Sequence, residues 1–172
     1  MLFRSGHLVL STLHTNDAPG TIGRLLNMGL EPFMVTSSVV LIQAQRLVRT
    51  ICKDCKTEYR AKREHKDTFS ITDEFLAHID LRHIDSNNFR LYKGQGCDSC
   101  GGSGYRGRMG IYEVMTMTEN QKSLIIRGGS VSDITTLARK EGMLTLRESA
   151  LRKALSGITT LDEVIRVTAG GH

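Results

Sequence analysis

Four cysteines constrain this chain more than any other feature. Cys52-Lys53-Asp54-Cys55 and Cys97-Asp98-Ser99-Cys100 hold every cysteine present, as two C-x-x-C pairs with residues 56–96 between them. A C-x-x-C pair on a tight turn presents both sulfurs to one side, about 3.5–4 Å apart, a bite suited to one metal ion. Two such pairs make a closed tetrahedral four-sulfur site. Thiolates favour a soft or borderline ion, which puts zinc first and iron second. Four protein ligands leave no open position, so the expected role is structural rather than catalytic. Glycines flank the second pair, Gly94 and Gly96 before it and Gly101, Gly102 and Gly104 after it. They let backbone amides approach the sulfurs without a Cβ in the way. Two disulfides would require an oxidising compartment, and the chain carries no secretory signal. A thioredoxin-like redox motif would be a single pair in a βαβ unit.

The length of 172 residues allows one sizeable core, or a core with a small appended module. No apolar run reaches the length of a membrane span. The net charge of +5 permits an anionic partner. Lysine and arginine are scattered, however, and aromatics make up only 5%, which argues against a nucleic-acid platform with stacking side chains.

Met1-Leu2-Phe3-Arg4-Ser5 reads as a non-native leader, so the gene is expected to continue upstream. Leu8 to Leu13 is apolar and partly β-branched, and predicts a buried strand. It runs into the polar cluster His14-Thr15-Asn16-Asp17. Polar groups at the C-terminal end of a strand are where open α/β sheets bind ligands; an ordinary hydrogen-bonded turn is the alternative for His14. Asp17 caps a helix over residues 18–28 with Pro19 in its first turn and Gly29 as its stop. Pro32 opens a second helix, expected to run to about Val48, with a strand over Val39 to Ile42 as the alternative.

Between the cysteine pairs, Ser70-Ile71-Thr72-Asp73 can start a short helix through Phe75, Leu76 and Ile79. Phe89 to Tyr92 predicts a short strand. His65, His78 and His83 read as surface residues, because the cysteines already complete a site. Beyond the second pair, Ile111 to Val114 predicts a strand entering the core. Arg106 and Arg108 are either solvated loop charges or forks for a phosphate or an acidic neighbour. Four helix starts follow, each a Ser or Thr with an acid or amide three residues on: Thr118 with Gln121, Ser130 with Asp133, Thr145 with Glu148, and Thr160 with Glu163. Gly128-Gly129, Gly142 and Gly157 are the expected stops. Apolar stripes on these helices predict a compact bundle, and residues 169–172 a frayed tail.

These motifs together resemble the C-terminal part of the secretion ATPases of type II secretion and type IV pilus assembly (the GspE/PilB family). Gly6 to Asn16 resembles that family's histidine box, Gln45-Arg46-Leu47-Val48-Arg49 the segment before its zinc module, and the two cysteine pairs its tetracysteine motif. Gly104-Tyr105-Arg106-Gly107-Arg108 with Gly110-Ile111-Tyr112-Glu113 resembles the stretch after that motif, and Gly157 to Val164 its last helix. The resemblance implies an α/β fold: a partial RecA-like core over residues 6–51, a zinc-binding module over 52–100, and a core-return strand with a helical bundle over 101–168. It implies that His7 and His14 belong to the catalytic site, His14 near the γ-phosphate, and that Arg46 lies near the nucleotide. It also implies structural zinc on Cys52, Cys55, Cys97 and Cys100, with ATP and magnesium in the full-length protein. Such proteins are cytoplasmic hexameric rings that meet an inner-membrane platform protein and couple ATP hydrolysis to pilus or pseudopilus assembly.

One departure bears on activity. No G-x-x-x-x-G-K-[ST] phosphate loop and no acidic metal-holding segment occurs in this sequence. The 172 residues alone are therefore expected neither to hydrolyse ATP nor to bind it tightly. Two other readings are open: a zinc-stabilised interaction module without ATPase activity, and a chaperone zinc domain. The latter is suggested by Cys97 to Gly104, which fits the C-x-x-C-x-G-x-G repeat, although such domains carry four repeats.

Overall fold

The computed structural model describes residues 8–169. Met1 to Ser5 and His7 lie outside them. The described chain is mixed α/β and divides into two compact units. The first comprises residues 8–44 and 113–143, the second 45–112 and 144–169. The order is α1 (Ala18–Asn27), α2 (Pro32–Ser38), β1 (Leu41–Ile51), β2 (Lys56–Arg60), α3 (Arg63–Phe69), α4 (Asp73–His78), β3 (Arg90–Gly94), β4 (Tyr105–Thr116), α5 (Glu119–Ile126), α6 (Val131–Lys140), α7 (Leu146–Leu155) and α8 (Leu161–Thr168). Strand β1 pairs with β4, and β2 with β3, as two separate two-stranded sheets.

In the first unit, α1 starts as its sequence dictates. The Asp17 carboxylate accepts from the Gly20 N–H at 2.6 Å, and Pro19 occupies a position where no amide donor is needed. The Glu113 carboxylate, from β4, accepts the buried Ala18 N–H at 2.6 Å. An anion at this end also suits the helix dipole. Ala18 and Ile22 of α1 then pack with Val35, Met115, Ile125 and Ile134 in one apolar core.

Two expectations fail in this unit. Leu8 to Leu13 forms no strand, and Leu8 and Leu10 are 82% and 90% exposed. The run has strand composition, but a strand exists only with a ladder partner, and neither sheet of the described residues includes it. The second helix stops at Ser38 rather than near Val48. Val39 is already extended, and β1 follows with alternating exposure. Its β-branched and alternating residues favour a pleated surface over a third helical turn.

The four capped helix starts all form: Thr118, Ser130, Thr145 and Thr160 are each the N-cap, accepting from the N–H three residues on. Only Ser130/Asp133 and Thr145/Glu148 close reciprocal boxes. Gln121 turns instead towards Glu141 and the Ile134 carbonyl, and Glu163 towards two arginines. The four helices divide between the two units. Helices α5 and α6 belong to the first unit, α7 and α8 to the second, because each pair covers a different apolar core.

The second unit is built on β2 and β3, antiparallel with Lys56 opposite Gly94 and Arg60 opposite Arg90. Helix α7 packs on β3 and α8. It also receives α3 and α4 from the segment between the cysteine pairs. The Arg147 guanidinium lies 5.2 Å from the Phe69 ring centroid, and Arg152 meets Asp80 at 3.4 Å. His78, half-buried rather than freely exposed, lies 3.6 Å from Glu148.

Glu163 ties α8 to β1. Its fully buried carboxylate accepts from the Arg49 backbone N–H at 2.9 Å, Arg49 Nη2 at 2.6 Å, and Arg166 Nε and Nη2 at 2.7 Å each. Burial pushes its pKa up, but donation from Arg166 and Arg49 outweighs burial and holds the group down at about 2, against an ordinary 4.5. A depressed carboxylate contributes stability that is present above its unfolded value and lost as pH falls through its folded value. Unfolding titrations should therefore show stability dropping between pH 4.5 and pH 2. In Glu163→Gln, which cannot titrate, that part of the slope should disappear. Separately, Thr145→Ala is expected to cost about 1 kcal/mol in denaturant unfolding, by removing the cap of α7.

Candidate metal centre

The cysteines sit on two similar turns. Cys52 follows the last residue of β1, and Lys53–Cys55 forms one turn of tight helix before β2. Cys97 follows β3, and Asp98–Cys100 forms the same kind of turn before β4. Because Lys56 pairs with Gly94, the β2–β3 ladder brings the two turns side by side. The chain segments then touch backbone to backbone. The Cys52 N–H donates to the Gly104 carbonyl at 2.9 Å, and the Gln95 N–H to the Cys55 carbonyl at 3.0 Å. A methyl group at Gly94 would overlap the Gly104 carbonyl oxygen, and one at Gly104 would stand 2.7 Å from the Gly94 carbonyl oxygen. These two positions must be glycine for the turns to meet.

All four sulfurs lie within 4.8 Å of one another. Cys52 and Cys97 are 3.8 Å apart, Cys55 and Cys100 3.9 Å, and Cys97 and Cys100 3.7 Å. Tetrahedral metal–sulfur bonds of about 2.3 Å separate sulfurs by about 3.8 Å, so the cage has the right size for one ion. A disulfide needs about 2.05 Å, and all four cysteines are free. The two pairs expected from spacing therefore form one site that can hold a metal ion. His65 and His83 take no part in it. The His65 Nδ1 accepts from the Lys62 N–H at 3.1 Å, and His83 is exposed.

Backbone amides prepare the sulfurs for negative charge. Cys100 Sγ accepts from the Cys97 and Gly104 N–H groups at 3.2 and 3.3 Å, and Cys55 Sγ from the Gly96 N–H at 3.3 Å. Donation from Cys97 holds the Cys100 thiol down at about 6, whereas burial pushes Cys55 up to about 11. An ion bound by four thiolates must therefore displace protons, and acid will oppose it. Cys52 is fully buried.

The turns are wired directly to the last two helices. The Ile51 N–H donates to the Ile158 carbonyl at 2.9 Å, and the Thr159 hydroxyl to the Arg49 carbonyl at 2.7 Å. Arg49 stacks on Tyr105 at 4.2 Å from its centroid, and the Tyr105 hydroxyl meets Thr160 at 2.8 Å. Arg49, Tyr105 and Glu163 were not singled out by residue chemistry. The sole signal for Glu163 was its place three residues after a cap, which suggested a different partner.

The remaining candidates are placed as follows. His14 is exposed in the irregular segment before α1. Arg46 donates from Nη1 to the Val167 carbonyl. Arg106 pairs with Asp54 at 3.6 Å.

Residues 3–166 match the family model described as "Type II/IV secretion system protein". The chain belongs to the type II/IV secretion system protein family. Similar members of the family include the type IV pilus assembly ATPase PilB of Myxococcus xanthus, 47% identical over 96% of this chain and 28% of that protein. The PilB of Thermus thermophilus is 43% identical over 95% of the chain and 17% of its own length. The type II secretion system protein E of Pseudomonas aeruginosa is 44% identical, over 95% of the chain and 30% of its own length. The chain thus spans less than a third of these relatives. No helix among the described residues is long and apolar enough to cross a membrane.

In this family member, one compact unit contains the cysteines together with α7 and α8. Stripping the metal with a chelator, or Cys97→Ser, should raise amide hydrogen exchange across residues 45–112 and 144–169 together. Residues 18–44 and 113–143 should stay protected. Loss confined to 56–96 would show the helices to be independent of the centre.

Proposed function

We propose that the chain is the C-terminal portion of a motor ATPase serving type II secretion or type IV pilus assembly, and that its four thiolates hold a structural zinc ion. The observation that carries this reading is the cage of four sulfurs, sized for a tetrahedral ion, in a chain matched almost end to end by the family. Relatives named as ATPases support the activity assigned to the whole protein. Cys52, Cys55, Cys97 and Cys100 would hold the zinc. With four protein ligands it would activate no water, and its contribution is to clamp two backbone turns. The whole motor would work as a cytoplasmic hexameric ring against an inner-membrane platform protein, using ATP and magnesium.

In that reading, residues 6–51 complete a RecA-like core, 52–100 form the zinc module, and 101–168 return to the core and add the final helices. His14 would approach the γ-phosphate. Its exposure leaves the imidazole accessible to a ligand. His7 is assigned to the same box on sequence alone. Arg46 would serve the nucleotide through its guanidinium donors not engaged with Val167.

Phosphoryl transfer requires a phosphate-gripping loop and magnesium, and this sequence contains no such loop. The purified 172-residue chain should therefore show no ATP turnover. A gene product extended upstream through a phosphate loop should hydrolyse ATP, and His14→Ala in that protein should lower turnover by about a hundredfold or more. Turnover by the short chain, or an extended gene lacking the loop, would refute the assignment. Elemental analysis should return one zinc per chain.

A further inference from the structure

Of the arginines flanking the cysteine turns, Arg46 and Arg106 each turn to a neighbour away from the cleft described next: Arg46 to the Val167 carbonyl and Arg106 to Asp54. The other two, Arg49 and Arg108, line a cleft of ≈ 430 Å³ together with Leu47 and Arg166. All four residues belong to the second unit.

The cleft has an uneven charge balance. Glu163 is the carboxylate bonded to Arg49 and Arg166, and it lies fully buried beneath them while their side chains remain 45% and 53% exposed. It fixes both guanidiniums through Nε and Nη2, leaving Nη1 and one hydrogen of Nη2 on each for another acceptor. The Tyr105 ring supports Arg49 from one face. Arg108 is exposed and, among the described residues, has no ion pair and no side-chain hydrogen bond. Three guanidiniums against one carboxylate leave two positive charges in one concave site.

We infer that the cleft formed by Leu47, Arg49, Arg108 and Arg166 binds a phosphate group carrying two negative charges, either a phosphomonoester or the end of a polyphosphate. A phosphomonoester carries about −1.5 to −2 at neutral pH, which matches the residual charge; a single carboxylate would neutralise only half of it. Planar guanidinium forks hold phosphate oxygens two at a time. Arg49 and Arg166 are already held by Glu163, so little side-chain freedom is lost when they bind. Arg108, exposed at the rim, supplies the third guanidinium. The site stands whether or not the chain serves a secretion motor.

The test is calorimetric titration of the metal-loaded chain with pyrophosphate. Binding is expected, and Arg108→Gln should weaken it by at least about tenfold. Among the described residues Arg108 has no ion pair or side-chain hydrogen bond to lose, so the variant should keep the wild-type unfolding transition. Arg24→Gln, an exposed charge in the first unit, should bind as wild type does. Two competitors identify the source of the phosphate. Displacement by ATP assigns a soluble polyphosphate, and displacement by phosphatidate vesicles assigns a lipid headgroup; either upholds the site. No measurable binding, binding unchanged in Arg108→Gln, equal loss in Arg24→Gln, or succinate binding as tightly as pyrophosphate would each overturn it.

Discussion

The second unit depends on two backbone turns being brought so close that their peptide groups touch. Gly94 and Gly104 face each other with no room for a side chain on either, and the Cys52 amide reaches the Gly104 carbonyl across the same gap. Sulfurs on those turns then fall at the separations a tetrahedral ion requires. Four thiolates brought this close without an ion would repel one another. Amide donors to Cys55 and Cys100 relieve part of that cost. A bound cation would remove most of the rest, so ion binding and folding of this unit are coupled.

From that contact the order spreads along hydrogen bonds, alongside buried apolar side chains of the same unit such as Ile71, Leu76, Leu91 and Leu151. Ile51 and Arg49 grip the turn between α7 and α8 through Ile158 and Thr159. Glu163 then gathers two guanidiniums and a backbone amide onto one buried carboxylate. An ion pair buried this way does little for net stability against an apolar replacement, but breaking it by removing one partner is costly. Its effect here is to aim Arg49 and Arg166 at one cleft while keeping their outer edges in solvent.

Much of this could be read from the residues, because the signals were local. Two C-x-x-C pairs gave the sulfur cage, and a Ser or Thr three residues before an acid or amide gave all four C-terminal helix starts. Asp17 and Pro19 gave the start of α1 for the same reason. The failures were non-local. Leu8 to Leu13 has the composition of a strand, but composition cannot supply a pairing edge. Leu41 to Ile51 mixes helical stripes with alternation, and the sheet partner β4 decides between them. Glu163 looked like half of a capping box, yet two arginines distant or near in sequence outcompete the helix N-terminus for it. The division of the last four helices between two units likewise depends on which core each covers, which periodicity alone does not state.

The ladder between β2 and β3 has a further implication for how such a chain can vary over generations. Its first rung, Lys56 with Gly94, abuts the cysteine turns, and its last, Arg60 with Arg90, closes off everything beyond. Residues 61–89 therefore form an excursion whose ends are already stitched together. Each doubling of such a loop adds only about 0.6 kcal/mol of closure entropy. Descendants can vary the exposed positions and turns of that excursion, and so acquire new recognition surfaces, while its buried residues stay packed on α7 and the sulfur geometry at its base is inherited unchanged.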